Sequence, residues 1–121
     1  MKGETSLDHK KMIEKLNNNS IKNEELWDYL NSKNFNIVGL TIYKIIERKY
    51  CDDHILKALT QIAAMLDGYK VAGPYQIGHL AMAALYLIED ESALDRFTQL
   101  HNNLNDNDKF LVDSFIERYK E

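Results

Sequence analysis

Between Asp67 and Leu80 the chain reads DGYKVAGPYQIGHL, and this stretch holds three of the five glycines and the only proline of 121 residues. Everywhere else the residues that break regular structure are nearly missing. A chain built this way has little means of making the many tight turns of a β fold. It is constrained to long elements joined by short polar turns, with one unusual junction in the middle. On both sides of that junction apolar residues recur at intervals of three and four, the spacing of a helix with one buried face.

The periodicity predicts seven helices. The first contains Leu7, Met12, Ile13 and Leu16, and residues 1–7 are expected to be a flexible lead-in. A second starts at Asn23 as its cap, with Glu24 and Glu25 in the turn where the helix dipole favours acids, and buries Leu26, Tyr29 and Leu30. A third runs from about Asn36 to Lys49 over Val38, Ile42, Ile45 and Ile46. A fourth starts at Asp53 and turns Ile55, Leu59, Ile62, Ala63 and Leu66 inward. Gly68 then reads as a helix stop and Pro74 as a first-turn proline, so the fifth helix spans about 74–89. Ser92 or Glu91 opens the sixth, with Leu94, Phe97, Leu100 and Leu104 inward. The seventh carries Leu111, Val112, Phe115, Ile116 and Tyr119, and no segment alternates like a strand.

The apolar positions repeat. Moving 39 residues on from Val38, Ile42, Ile45 and Ile46 gives Ile77, Ala81, Ala84 and Leu85. Moving 35 on from Ile77, Leu80, Ala81 and Ala84 gives Val112, Phe115, Ile116 and Tyr119. A helix–turn–helix unit of this length, repeated, is the mark of an α-solenoid. Gly39 and Gly78 occupy one repeat position, and a glycine inside a helix costs about 1 kcal/mol relative to alanine. The expected return is close approach of neighbouring helices at both places, with the fifth helix as the crowded centre.

On these residues the chain resembles the HEAT-repeat family. The segments VGLTIYKII (38–46) and IGHLAMAAL (77–85) fit the first-helix frame of such repeats, and VDSFIERY (112–119) looks like a shortened third copy. The resemblance covers about residues 20–121. The family's usual Arg after the Val is replaced by Gly39 and Gly78, and its Asp-Pro start is only partly echoed by Asn36, Pro74 and Asp108. It implies an all-α fold, an α-α superhelix of about seven antiparallel helices forming roughly three HEAT-like pairs in one domain over residues 1–121. An irregular helical bundle is the other architecture compatible with the pattern.

Composition narrows the role. Residues 1–66 carry 10 basic and 9 acidic side chains, and residues 67–121 carry 5 and 10. This balance opposes general nucleic-acid binding, which needs a basic surface, and suits a basic protein partner for the C-terminal half. The single cysteine, Cys51, cannot form an internal disulfide, and no secretory apolar segment follows Met1, so the expected location is cytoplasmic. No apolar run reaches bilayer length.

Catalytic and metal motifs are missing: there is no HExxH, CxxC, GxSxG, phosphate-binding loop or dinucleotide fingerprint. CDDH (51–54) and EDES (89–92) read as helix starts, where acids are favoured. Cys51 and His54 could be drawn as nucleophile and base, without any evident oxyanion hole. The expectation is therefore a non-enzyme with no cofactor and no metal.

What remains is surface recognition. In HEAT-like proteins the second helices of the pairs line the concave side, which the resemblance maps to 23–32, 53–66 and 92–104. Off their inward stripes lie Trp27, Lys57, Gln61, Arg96 and Gln99. Trp27 is either a binding anchor or a cover for the open end of the core. Tyr69 and Lys70, beside Tyr75, form a second patch on the junction, or else pack over helix ends. The resemblance implies a protein–protein interaction module. A specific version is a bacterial immunity protein that binds and neutralises a toxin. The competing readings are a HEAT-like nucleic-acid binder and a small enzyme.

Overall fold

The protein is described here by a computed structural model covering residues 5–68 and 70–121. Among these residues the helices are α1 (Ser6–Asn17), α2 (Asn23–Leu30), α3 (Phe35–Arg48), α4 (Asp53–Ala63), α5 (Ile77–Leu87), α6 (Glu91–Asn102) and α7 (Asp106–Lys120). Between α4 and α5 stands a small antiparallel hairpin, β1 (Lys70–Ala72) and β2 (Tyr75–Gln76). The fold is all-α apart from this hairpin.

The helices form two staggered rows. In one row α1, α3, α5 and α7 lie side by side in that order, and in the other α2, α4 and α6 do the same. The rows meet where α2 packs on α3 and where α4 and α6 pack on α5. Repetition extends to the helix ends. Lys49 closes α3 in the left-handed region and Glu89 follows α5 in the same conformation, and their side chains form an ion pair across the two ends.

The caps of α3, α4 and α6 lie one or two residues earlier than the sequence suggests, whereas α5 starts at Ile77, three residues after Pro74. Asn34, Asp52, Asp90 and Asn105 accept backbone N–H bonds as the caps of α3, α4, α6 and α7. A cap must stand just outside the helix for its oxygen to reach the second or third amide. Where polar residues adjoin, as in Asp52–Asp53 or Asn34–Asn36, the earlier one meets that requirement. Asn23 is inside α2 rather than its cap. Its side-chain oxygen accepts from Arg48 Nη1 at 2.8 Å, while Arg48 Nη2 holds Asn19 and the Ile21 carbonyl, tying the α1–α2 turn to the end of α3. At the N-terminus, α1 begins at Ser6 and is closed by a reciprocal pair of bonds between Thr5 and Asp8, so residues 6 and 7 are helical.

The hairpin is the main departure from the helical expectation. Gly68 and Pro74 do not punctuate adjoining helices. Helix α4 ends at Ala63, Gly68 N–H donates to Gln76 Oε1 at 2.8 Å, and Pro74 sits in the hairpin turn after Gly73, whose φ is +57°. A left-handed residue followed by proline suits a turn between strands as well as it suits a break between helices. Strands of three and two residues are too short to show alternation.

Helix α5 is the centre, packed on by α3, α4, α6 and α7. Ten of its eleven residues are buried, Tyr86 being the exception. One of them is polar. His79 is fully buried, its Nδ1 accepts the Gln76 backbone N–H at 2.9 Å, and its Nε2–H therefore donates to Asp108 Oδ1 at 2.8 Å. The pair of bonds satisfies the ring and pins the start of α5 to the start of α7. At the periphery two expected core residues are exposed, Leu7 and Tyr119. Helix α6 is also shallower than its pattern suggests: Ala93 is its fully buried residue, and Leu94, Phe97, Leu100 and the following Leu104 are half-buried.

Candidate functional site

The surface residues singled out from the sequence fall on two sides of the molecule. Trp27, Lys57, Gln61, Arg96 and Gln99 belong to the row α2–α4–α6. Trp27 is 43 % exposed, and its ring lies 5.5 Å from that of His54 at a tilt of 58°, so it bridges α2 and α4. On α4, His54, Lys57 and Gln61 are exposed at helical spacing, which places them on one stripe. Gln61 borders a shallow hollow of about 160 Å³ with Asn31 and Met65. Arg96 is half-buried and engaged, since its Nη1 donates to Thr60 Oγ1 at 3.4 Å across α6 and α4, while Gln99 is exposed one turn on. Lys70 stands apart from this group. It is exposed on β1, in the hairpin that packs against α3. Tyr69 lies outside the described residues.

The opposite row carries a more concentrated surface, and of its members only Tyr75 belonged to an expected patch. Two hollows of about 230 and 450 Å³ share Tyr43 and Ala72 and run as one groove between α3, the hairpin and α7. Its aromatic wall is built from three elements. Tyr43 on α3 lies 5.9 Å from Phe115 and 6.4 Å from Tyr119 on α7, and Tyr75 on β2 meets Phe115 edge-on at 5.2 Å. Tyr75 is held by a 2.9 Å hydrogen bond between its hydroxyl and Ser114 Oγ. Phe115 and Tyr75 are buried, but Phe35, Tyr43 and Tyr119 are 38, 37 and 38 % exposed along the rim. Burial, then the neighbouring Tyr119 and Tyr75, raise the Tyr43 phenol above its ordinary pKa, so the groove presents it as a neutral hydroxyl at physiological pH.

Gly39 forms part of the groove floor. A Cβ there would sit 3.9 Å from Ile77 Cδ1 and from Leu80 Cδ2, ordinary contact distances. Close helix approach therefore does not require this glycine, contrary to the expectation from its repeat position. At Gly78 that expectation holds. A Cβ there would lie 2.5 Å from the Met65 carbonyl oxygen and 2.7 Å from Leu66 Cδ2, and the Gly78 N–H donates to that same carbonyl at 3.2 Å.

The Cys51–His54 pair is not assembled for chemistry. Burial, reinforced by Asp90, Asp52 and Asp53, pushes the Cys51 thiol up to about 11, the opposite of an activated nucleophile. Its S–H points to the Asp52 carbonyl at 3.7 Å, and His54 is engaged with Trp27.

No signal in the sequence links Tyr43, Tyr75 and Phe115, which are separated by 32 and 40 residues. The hairpin brings them together, and the hairpin is the element that periodicity does not reveal. Among the described residues no helix is long and apolar enough to cross a membrane. No family model, curated protein or solved structure matches the chain.

Proposed function

We propose that the chain is a non-catalytic protein–protein interaction module of the HEAT-like kind, and that the groove between α3, the hairpin and α7 is its principal recognition surface. The observation that carries this reading is the set of three partly exposed aromatic side chains, Phe35, Tyr43 and Tyr119, along the rim of one groove. Adjacent exposed aromatics are a standing cost in water unless something covers them. Tyrosine supplies a large contact area with few rotatable bonds, the property of interface anchors. The row α2–α4–α6, with Trp27, Lys57, Gln61, Arg96 and Gln99, is a second face of the same module, and Lys70 is exposed on the hairpin that forms one side of the groove.

The test is comparative. The wild-type chain, a Tyr43→Ala/Tyr119→Ala variant and a Trp27→Ala variant are immobilised and exposed to extract of the source cells. A protein retained by the wild type and by Trp27→Ala but lost with the tyrosine pair supports the groove. Loss with Trp27→Ala alone moves recognition to the other face. The narrower version, an immunity protein that neutralises a toxin in the cytoplasm, stands if the retained protein kills cells lacking this chain and spares cells that make it. Titration with duplex DNA separates the nucleic-acid reading: the acidic balance of residues 67–121 predicts no saturable binding at physiological salt.

A further inference from the structure

Helix α7 separates two concave surfaces. Phe115 and Tyr119 face the groove already described, whereas Asp113, Ile116, Glu117 and Lys120 face a pocket of about 520 Å³ shared with Tyr86 of α5 and Phe97 and His101 of α6. The pocket has an aromatic wall. Tyr86 and Phe97 meet at 5.3 Å with their planes 56° apart, and Phe97 lies 5.0 Å from the His101 ring. It also has a carboxylate rim. Asp113 Oδ1 accepts from His101 Nε2–H at 2.9 Å, and among the described residues Glu117 has no ion-pair partner. One cation occupies the pocket: the Lys120 ammonium sits over the face of Tyr86, 5.0 Å from the ring centroid.

Each of these features selects the same ligand chemistry. The face of a phenol ring carries negative electrostatic potential and attracts an ammonium group. The rim carboxylates add to that attraction, and the half-buried Tyr86 and Phe97 supply apolar surface for an alkyl stem. The Lys120 side chain is exposed and makes no ion pair among the described residues, so its ammonium is held by the ring face and by the coulombic attraction of Glu89 and the rim carboxylates.

We propose that the pocket between α5, α6 and α7 is a receptor site for a lysine side chain of a protein partner, and that Lys120 is a resident surrogate which the partner's ammonium displaces. The proposal rests on the reading of the chain as a protein-binding module and adds the chemistry of one contact: a basic residue presented beside the groove, on the other flank of α7. The acidic balance of residues 67–121 matches it.

The experiment titrates the full-length chain with the peptide acetyl-Gly-Lys-Gly-amide while the ring resonances of Tyr86 and Phe97 are followed by NMR. The expected result is a saturable shift of both rings, with no such shift from the glutamine counterpart of the peptide. Lys120→Ala is expected to strengthen binding several-fold by vacating the ring. Lys10→Ala, which removes the same charge from the exposed side of α1, is expected to leave it unchanged. Tyr86→Leu is expected to weaken binding about fivefold, the size of one cation–π contact, and the exposed Glu117→Gln, which does not touch the core, about threefold. Equal response to the two peptides, full binding by Tyr86→Leu and Glu117→Gln, or no gain in Lys120→Ala overturns the proposal. The probe does not span the groove. Loss of partner capture by the Tyr43/Tyr119 variant with intact peptide binding, or the reverse, therefore shows which of the two readings has failed.

Discussion

Gly39 and Gly78 stand 39 residues apart at the same position of two successive repeats, and they are there for different reasons. Gly78 lets the start of α5 touch the backbone after α4, close enough for its N–H to bond the Met65 carbonyl. Gly39 is buried beside the groove, and a Cβ there would make only ordinary contacts with Ile77 and Leu80 of α5. A helical glycine carries the same conformational cost at both places. At Gly78 the close backbone approach offsets that cost, and at Gly39 no contact in the fold requires a glycine. The lesson is that a repeated residue type does not imply a repeated role. What decides is the neighbour that the next element brings.

The largest expected effect is at Gly78. Gly78→Leu places a side chain where a carbonyl oxygen already stands, and overpacking of this kind costs about 1–3 kcal/mol. Gly78→Ala alone should still lower the urea midpoint, although alanine is by itself the better helix former by about 1 kcal/mol. A Gly78→Ala protein as stable as the parent would break the contrast. The next test asks which neighbour is the obstacle. Leu66 has a side chain that can turn away, and the Met65 carbonyl does not. In a double-mutant cycle Leu66→Ala should therefore recover less than about 0.5 kcal/mol of the Gly78→Ala loss, the level at which sites count as independent. A larger recovery would make Gly78 a side-chain contact rather than a backbone one.

At Gly39 the sign reverses. Gly39→Ala meets only ordinary contacts and should raise stability by about 0.5–1 kcal/mol through helix propensity. Gly39→Leu should fill the groove and reduce partner capture. A destabilised Gly39→Ala would return this glycine to a packing role and remove the floor from the recognition surface. The smallest effect is at Lys70, exposed on β1 of the hairpin. Lys70→Ala should shift stability by less than about 0.5 kcal/mol, as exposed substitutions usually do. Any change it makes in partner binding is then a property of the interface alone.

The contrast between local and distant information explains what could be read in advance. The inward stripes of α3, α4 and α5 follow from a 3.6-residue period, which is written along the chain, and all of Ile42, Ile45, Ile55, Leu59 and Leu85 are fully buried. The burial of α5 was legible too, because an uninterrupted apolar helix needs neighbours all round. Tyr119 keeps the spacing of Phe115 and Ile116, yet its ring lies at the groove rim beside Tyr43 and Phe115 and is part-exposed, which spacing alone does not reveal. The groove was illegible for a related reason. Its wall depends on which elements meet, and the meeting is arranged by a hairpin of five strand residues whose only written trace is Gly73–Pro74. Trp27 is part-exposed, as its place off the stripe suggested, and its ring contact with His54 lies beyond any spacing rule.

The enclosure of α5 has a consequence for how the molecule opens. Amide protons of α1, α6 and the hairpin can exchange with solvent through fraying, because each lies at an edge. Those of α5 are released only when α3, α4, α6 and α7 part from it together, which is to say when the whole structure comes undone. Deuterium uptake along Leu80–Leu85 therefore reports the global unfolding free energy directly. In this chain one short helix is both the last element to open and the gauge by which the stability of every other part is measured.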